Sequence, residues 1–104
     1  MKHQIVLHQT FGCSAADGGA AYRFRVSKID AYLNLPDYEQ VILDFTGIRS
    51  ANSSFVNALV SGLFEQHGTD ALRKLVFKGC LPTIQVLVQS AVDLGIIKHA
   101  ERVS

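Results

Sequence analysis

The sequence predicts a single α/β domain with a mostly parallel sheet of about three to four strands and three helices. Two observations lead to this fold class. Short apolar and β-branched runs alternate with longer stretches whose apolar residues recur every three or four positions, as in amphipathic helices. The run VILDF, at residues 41–45, is continuously apolar up to its aspartate, which is typical of a strand buried on both faces of a parallel sheet.

The composition bounds the size and class of the protein. With 104 residues, 48% of them hydrophobic and 18% charged, residues 1–104 are expected to fold as one compact domain. A formal charge of +1 provides no net attraction to nucleic acid or to an anionic membrane. The apolar runs are shorter than the roughly 20 residues needed to span a bilayer, and the N-terminus lacks the apolar core of a secretory signal. We therefore expect a cytoplasmic protein that binds neither nucleic acid nor membranes.

The first part of the chain predicts a strand, a turn and a helix. Residues 4–7 form a β-branched run that suits a strand, and residues 10–19 gather Gly, Ser and Asp. Either Asp17 or Ser14 could cap the helix that follows. Proline and its neighbours are expected to end this helix at Asn34, Pro36 and Asp37. Between residues 20 and 33, helical spacing predicts a buried face formed by Tyr22, Val26, Ile29 and Leu33.

The rest of the chain repeats this alternation around the central strand. A polar turn at residues 47–54 separates that strand from a second helix, which begins at Phe55 and ends near Gly68. A third strand at residues 75–77 is expected beside the central strand. Pro82 favours the start of a third helix that closes near Gly95. The following Ile96 and Ile97 either add a short strand or cover the core.

The cysteines and histidines predict no metal or redox site. Cys13 and Cys80 lie far apart without CxxC spacing, so we expect two reduced thiols. The four histidines lack ligand spacing and are expected at the surface or at sheet edges. The sequence therefore predicts no metal and no cofactor, and it offers no evident combination of nucleophile, base and oxyanion donor for an enzyme.

Two places along the chain are candidates for ligand binding. The segment AADGGAAYR puts Gly18, Gly19 and Arg23 at a helix start, where exposed amides can bind a phosphate or another anion. It lacks the spacing of known phosphate loops, so a plain helix-starting turn is favoured. Asp44 ends the central strand, where open α/β sheets bind ligands. It either caps the following turn, which is favoured, or binds a metal or another ligand.

A hydroxyl-rich segment precedes the second helix and includes Ser50, Asn52, Ser53 and Ser54. Ser and Asn are preferred N-terminal caps, so capping alone can explain the segment. The functional alternative is a phosphorylatable hydroxyl, because the helix dipole and free amides stabilise a phosphate at a helix N-terminus. From the residues alone, capping is favoured.

The run LDFTGIRSANSSFVNALVSGL resembles the signature of STAS domains, which occur as anti-sigma factor antagonists and in the cytoplasmic tails of sulfate transporters. That signature is a buried strand ending in Asp, a small turn with Gly, and Asp-Ser-Ser-Gly at a helix start. A STAS-like family of bacterial proteins is a closer match, because Ser-Ser-Phe replaces Ser-Ser-Gly there, as it does at Ser53, Ser54 and Phe55. Gly18, Gly19 and Arg23 match an earlier turn and helix of that family.

The resemblance implies a protein-interaction module with a STAS-like fold. In antagonist STAS domains, a partner kinase of the histidine-kinase-like ATPase fold phosphorylates the first serine of the pair and thereby breaks the complex. The matching residue is Ser53, with Ser54 as its neighbour. Asn52 and Phe55 depart from the antagonist pattern, which has Asp and Gly there. The implied partner-binding residues are Asp44, Thr46, Ile48, Asn52, Ser53, Phe55 and Val56.

The favoured hypothesis is a non-enzymatic regulatory module that binds a histidine-kinase-like ATPase or an anti-sigma-type partner and is switched by serine phosphorylation. The alternative is a small nucleotide- or anion-binding module that uses the helix N-termini after Asp17 and Asn52. An enzyme is the least supported of the three classes.

Overall fold

A three-stranded parallel sheet organises the fold. The computed structural model describes residues 2–34 and 40–103, apart from the side chains of Thr69 and Val103. The three strands are β1 (Lys2–Val6), β3 (Gln40–Asp44) and β5 (Leu75–Lys78). β3 lies between the other two, and its Leu43 pairs with Ile5 of β1 and with Phe77 of β5. The predictions of a central strand at residues 41–45 and of a neighbouring strand at residues 75–77 are therefore confirmed.

A second, two-stranded parallel sheet joins β2 (Ser14–Ala15) to β4 (Ser50–Ala51). The sequence predicted turns at both places, because two residues are too few to produce an alternating pattern. Each of these short strands leads directly into the start of a long helix. The small sheet thus holds two helix N-termini side by side.

Within the described residues, the three predicted helices are present, together with two short ones that were not predicted. Two of the long helices each contain a π-helical turn, in which hydrogen bonds span five residues instead of four. The helices are α1 (Leu7–Phe11), α2 (Gly18–Phe24, Arg25–Ile29 and Asp30–Asn34 in succession), α3 (Ser53–Val56, Asn57–Ser61 and Gly62–His67), α4 (Thr69–Lys74) and α5 (Pro82–Val103).

α3 contributes the wide apolar face that its sequence predicted, and it contacts both α2 and α5. Phe55 at its start is fully buried and meets the ring of Phe11 edge-on, with the ring centroids 4.8 Å apart. The buried apolar side chains of the described residues form one cluster around this helix and the sheet. Those of α3 are Phe55, Val56, Leu59, Val60, Leu63 and Phe64.

The predicted buried face of α2 is half wrong. Ile29 and Leu33 are buried, but Tyr22 is 54% exposed and Val26 is 47% exposed. The buried positions are Ala21, Arg25, Ile29 and Leu33, which recur every four residues. A strict four-residue repeat stays on one face here because the π-helical turn widens the helix between Arg25 and Ile29. Pro36 and Asp37, expected to end α2 after Asn34, lie outside the described residues.

The predicted end of the third helix near Gly95 is also wrong. α5 continues through this glycine to Val103, and Ile96 and Ile97 are helical rather than a strand. A Cβ atom at Gly95 would lie 2.5 Å from the Ser61 carbonyl oxygen. The glycine therefore marks the close crossing of α5 over α3, not a helix stop.

No helix in the described part of the chain is long and apolar enough to span a bilayer.

The ends of the other elements differ from the sequence predictions by small amounts. β1 ends at Val6, and Leu7, predicted to belong to the strand, begins α1 while remaining fully buried. α3 begins at Ser53 rather than at Phe55. Helix ends are the least certain part of any pattern-based prediction, because the terminal turn lacks the full set of periodic contacts.

Candidate functional site

The starts of α2 and α3 are joined by the small sheet and its flanking hydrogen bonds. The amides of Arg49 and Ser50 both donate to the Cys13 carbonyl, at 2.8 and 3.2 Å. One residue past β4, the Asn52 amide donates to the Ala15 carbonyl at 3.1 Å. The hydroxyls of Ser50 and Ser14 are also hydrogen-bonded, at 3.2 Å. These contacts fix the two helix N-termini relative to each other.

Asn52 caps α3 and also ties it to the segment before α2. Its Oδ1 accepts a hydrogen bond from the Phe55 amide at 2.8 Å, and its Nδ2 donates to the Ala16 carbonyl at 2.9 Å. At the start of α2, the Asp17 carboxylate accepts from the Ala20 amide at 3.1 Å. Capping at both helices is therefore confirmed, with Asp17 rather than Ser14 as the cap of α2.

Ser53 and Ser54 occupy the first two positions of α3 after the cap, and both are exposed. The first amides of an α-helix have no carbonyl partner within the helix. Asn52 satisfies the Phe55 amide, so the amides of Ser53 and Ser54 are the ones left for an external acceptor. An anionic group on either serine would lie beside these donors and at the positive end of the helix dipole.

The residues implied for partner binding divide into an exposed and a buried group. Thr46, Asn52 and Ser53 are exposed. The buried group supports this surface from below and offers little area for direct contact; it consists of Asp44, Ile48, Phe55 and Val56. Two further exposed residues, Arg49 and Ser50, lie between Ile48 and Asn52 in sequence. We call the exposed set the α3 entry surface: Thr46, Arg49, Ser50, Asn52, Ser53 and Ser54.

Asp44 caps the turn after β3, as sequence reasoning favoured. Its Oδ1 accepts from the Thr46 amide at 2.9 Å, and its Oδ2 accepts from Nε2 of Gln4 at 2.7 Å. The Thr46 hydroxyl, followed by the Thr46 amide, lowers the pKa of Asp44 below its ordinary value, although burial opposes this shift. Among the described residues, no group of three His, Cys, Asp or Glu side chains is arranged to hold a metal ion.

The earlier candidate residues Gly18, Gly19 and Arg23 lie at the start of α2. A Cβ atom at Gly18 would lie 3.1 Å from the Ser54 carbonyl oxygen, so this glycine lets α2 approach α3 closely. Gly19 has only ordinary contacts, to Arg23 and Asp17 at 3.4 Å. The Asp17 carboxylate already occupies the end of the helix and would repel an anion there.

A charged cluster that the sequence analysis missed lies farther along α2 and α3, away from their starts. Arg25 is only 6% exposed, and its Nε lies 3.5 Å from Oδ2 of Asp30. His67 approaches the other oxygen of Asp30 at 3.0 Å. The guanidinium rests on Gly62, where a Cβ atom would lie 1.4 Å from Nη1. An isolated glycine inside the apolar helix VSGLF was the available signal, since such a glycine often marks a close contact.

The cysteines and histidines take structural positions. Both cysteines are free thiols, and burial, with a smaller effect from the charge of Asp44, raises the pKa of the Cys80 thiol. His3 stacks on Tyr32, with centroids 3.7 Å apart, and His99 hydrogen-bonds the Glu65 carbonyl at 2.8 Å. Three of the four histidines are half-buried and only His8 is exposed, which is less exposure than the sequence suggested.

The parallel sheet, the capped start of α3 and the paired serines are consistent with a STAS-like domain. The chain belongs to the family of STAS-like domains of unknown function (DUF4325), whose profile matches residues 21–85. This match runs from α2 into the start of α5 and includes the whole α3 entry surface. Comparison with curated proteins and with solved structures gave no match.

Proposed function

We propose that this STAS-like domain is a non-enzymatic regulatory module that binds a protein partner through the α3 entry surface and is switched by phosphorylation of Ser53. The observation that carries the proposal is the position of Ser53, exposed and directly after the Asn52 cap. Membership of a STAS-like family supports an interaction role. A histidine-kinase-like ATPase or an anti-sigma-type protein is the partner class we favour, because the LDFTGIRSANSSF run resembles the antagonist signature.

The two departures from the antagonist pattern have structural explanations that leave Ser53 accessible. Asn52 accepts the same capping hydrogen bond that Asp would accept, and it also donates to Ala16, which a carboxylate cannot do. Phe55 fills the core beneath the surface, where glycine would leave a cavity. Neither change removes the hydroxyl or the amides of the first turn.

Phosphorylation at Ser53 has a direct electrostatic effect. It adds about 1.5 to 2 negative charges at pH 7 to a surface that otherwise carries only the charge of Arg49. The amides of the first turn and the helix dipole stabilise this charge in the free domain. A partner that covers the serine would have to desolvate it, so the complex is expected to weaken.

The test is a binding assay with the histidine-kinase-like ATPase encoded nearest to this gene. We expect a complex without ATP, at least a tenfold weaker complex for Ser53→Asp, and near-normal binding for Ser53→Ala. Ser90→Asp adds the same charge to an exposed position of α5 and controls for the change in net charge. The proposal fails if the unmodified domain forms no complex, or if Ser53→Asp and Ser90→Asp bind equally well.

The alternative, a nucleotide or anion bound by the helix N-termini near Gly18, Gly19 and Arg23, has less support. The adjacency of the two helix starts favours it, but the Asp17 carboxylate lies at one of them. A thermal-shift screen with nucleotides separates the two functions. A nucleotide that raises the melting temperature, with no protein partner bound, would favour this alternative.

A further inference from the structure

A cavity of about 410 Å³ lies between α2, α3 and α5. None of its lining residues belongs to the α3 entry surface. Cavities of roughly 300 to 1,000 Å³ are typical of small-molecule sites. The polar residues that line it include Arg25, Asn57, Ser61 and Lys98, and Tyr22 and Leu94 contribute exposed apolar area. The cavity therefore combines a polar lining with apolar surface.

Arg25 is the unusual member of this lining. It is 6% exposed, and its Nε makes no hydrogen bond to any described residue; the contact with Asp30 is an ion pair at 3.5 Å. Burying a donor without a hydrogen bond is unfavourable. The guanidinium also lies 5.0 Å from the centroid of the Tyr22 ring and against Gly62, so its position is set by packing. A guanidinium that packing fixes at the wall of a cavity is the type of group to which an anionic ligand would bind.

The two π-helical turns meet at this cavity. Arg25 begins the turn in α2, while Asn57 and Ser61 are the first and last residues of the turn in α3. The turn in α3 contacts both α2 and α5. π-helical turns in otherwise regular helices occur frequently at functional sites. Ser61 is only 3% exposed, yet it lines the cavity with a polar side chain.

The charges around the cavity favour an anion. Arg25 and Lys98 line it directly, and the one acidic residue among its lining residues, Glu65, lies 3.9 Å from Arg102 outside it. Asp30 is not among the lining residues, and its carboxylate contacts both Arg25 and His67. We infer that the cavity binds a small molecule through a carboxylate or phosphate group, held by Arg25 and Lys98 with Asn57 and Ser61 as hydrogen-bonding partners. The planar guanidinium of arginine can donate two parallel hydrogen bonds to a carboxylate or to a phosphate.

This site needs neither phosphorylation nor a protein partner, so it stands independently of the proposed function. The test is an NMR titration of the ¹⁵N-labelled domain with inorganic phosphate and, separately, with succinate, at constant ionic strength. We expect saturable shifts of the amides of Asn57, Ser61 and Gly62 for at least one anion. The anion that binds more tightly distinguishes a phosphoryl ligand from a carboxylate ligand.

Asn57→Asp is the decisive variant, because Asn57 is exposed and a carboxylate is tolerated near the start of a helix. The added charge is expected to weaken binding roughly tenfold. Gln85→Glu makes the same change at an exposed position about 13 to 20 Å away along α5 and should bind normally. The inference is overturned if neither anion gives saturable shifts, if the shifts centre on residues 17–20 and 52–55, or if both variants bind like the wild type.

Discussion

At the scale of single residues, Asn52 links two helix starts with one side chain. Asn52→Ala removes both the cap of α3 and the hydrogen bond to Ala16. We expect it to lower the free energy of unfolding by about 1 to 2 kcal/mol. Asn52→Asp keeps the cap and loses only the hydrogen bond to Ala16, so it should lower the free energy of unfolding by less than Asn52→Ala does.

Urea unfolding followed by circular dichroism measures both variants of Asn52. Equal losses for Asn52→Ala and Asn52→Asp would contradict the capping role, because only the alanine variant lacks an acceptor for the Phe55 amide.

Asp44 gives the second residue-scale prediction, on the dependence of stability on pH. The Thr46 hydroxyl lowers the pKa of Asp44 in the folded protein, so its carboxylate stabilises the fold above the unfolded pKa of about 3.9. That contribution is lost as the pH falls through the lowered folded pKa. Asp44→Asn should lower the free energy of unfolding by about 1 to 3 kcal/mol at pH 6. At pH 3 the free energies of unfolding of this variant and the wild type should differ by less.

Urea unfolding at the two pH values checks the prediction for Asp44. Asp93→Asn removes one exposed carboxylate on α5 and is expected to change stability by under about 0.5 kcal/mol. If the difference in free energy of unfolding between wild type and Asp44→Asn is the same at pH 6 and pH 3, the role assigned to Asp44 is contradicted.

At the scale of elements, the crossing of α3 and α5 depends on the absence of a side chain at Gly95. A Cβ atom there would lie 2.6 Å from Cβ of Phe64 as well as 2.5 Å from the Ser61 carbonyl oxygen. Gly95→Ala should therefore lower the free energy of unfolding by about 1 to 3 kcal/mol, despite the better helix propensity of alanine.

Gly19→Ala is the matched control for the crossing, since Gly19 is also helical but has contacts no closer than 3.4 Å. We expect it to be neutral or to stabilise the domain by up to about 1 kcal/mol. Chemical denaturation of both variants measures the difference. A Gly95→Ala variant as stable as Gly19→Ala would show that the helices are not in close contact.

The elements also show what the sequence could and could not predict. β3 and α3 were predictable because each has a long apolar pattern with one period. The short elements α1, α4, β2 and β4 were not, since their residues are placed by tertiary contacts rather than by periodicity. The face of α2 was misassigned because the π-helical turn changes the spacing and puts Arg25 on the buried side.

At the scale of the whole molecule, the fold class and the helix caps of the candidate site could be predicted from the sequence. The elements that pack around that site could not. The STAS-like pattern located Asn52, Ser53 and Ser54, and capping chemistry assigned the first of them correctly. The proximity of α2 to the same surface depends on a parallel pairing of two-residue strands far apart in sequence. The cavity around Arg25 depends on three helices at once, which no local pattern encodes.

The most direct test of the proposed switch is phosphosite mapping by mass spectrometry, after incubation of the domain with ATP and the histidine-kinase-like ATPase encoded nearest to this gene. We predict one phosphate on Ser53, with Ser53→Ala abolishing the modification and Ser54→Ala retaining it. The free amides of the first turn and the exposure of the hydroxyl are the physical basis for this preference. Complete coverage of the peptide without phosphate on Ser53 or Ser54 would contradict the account.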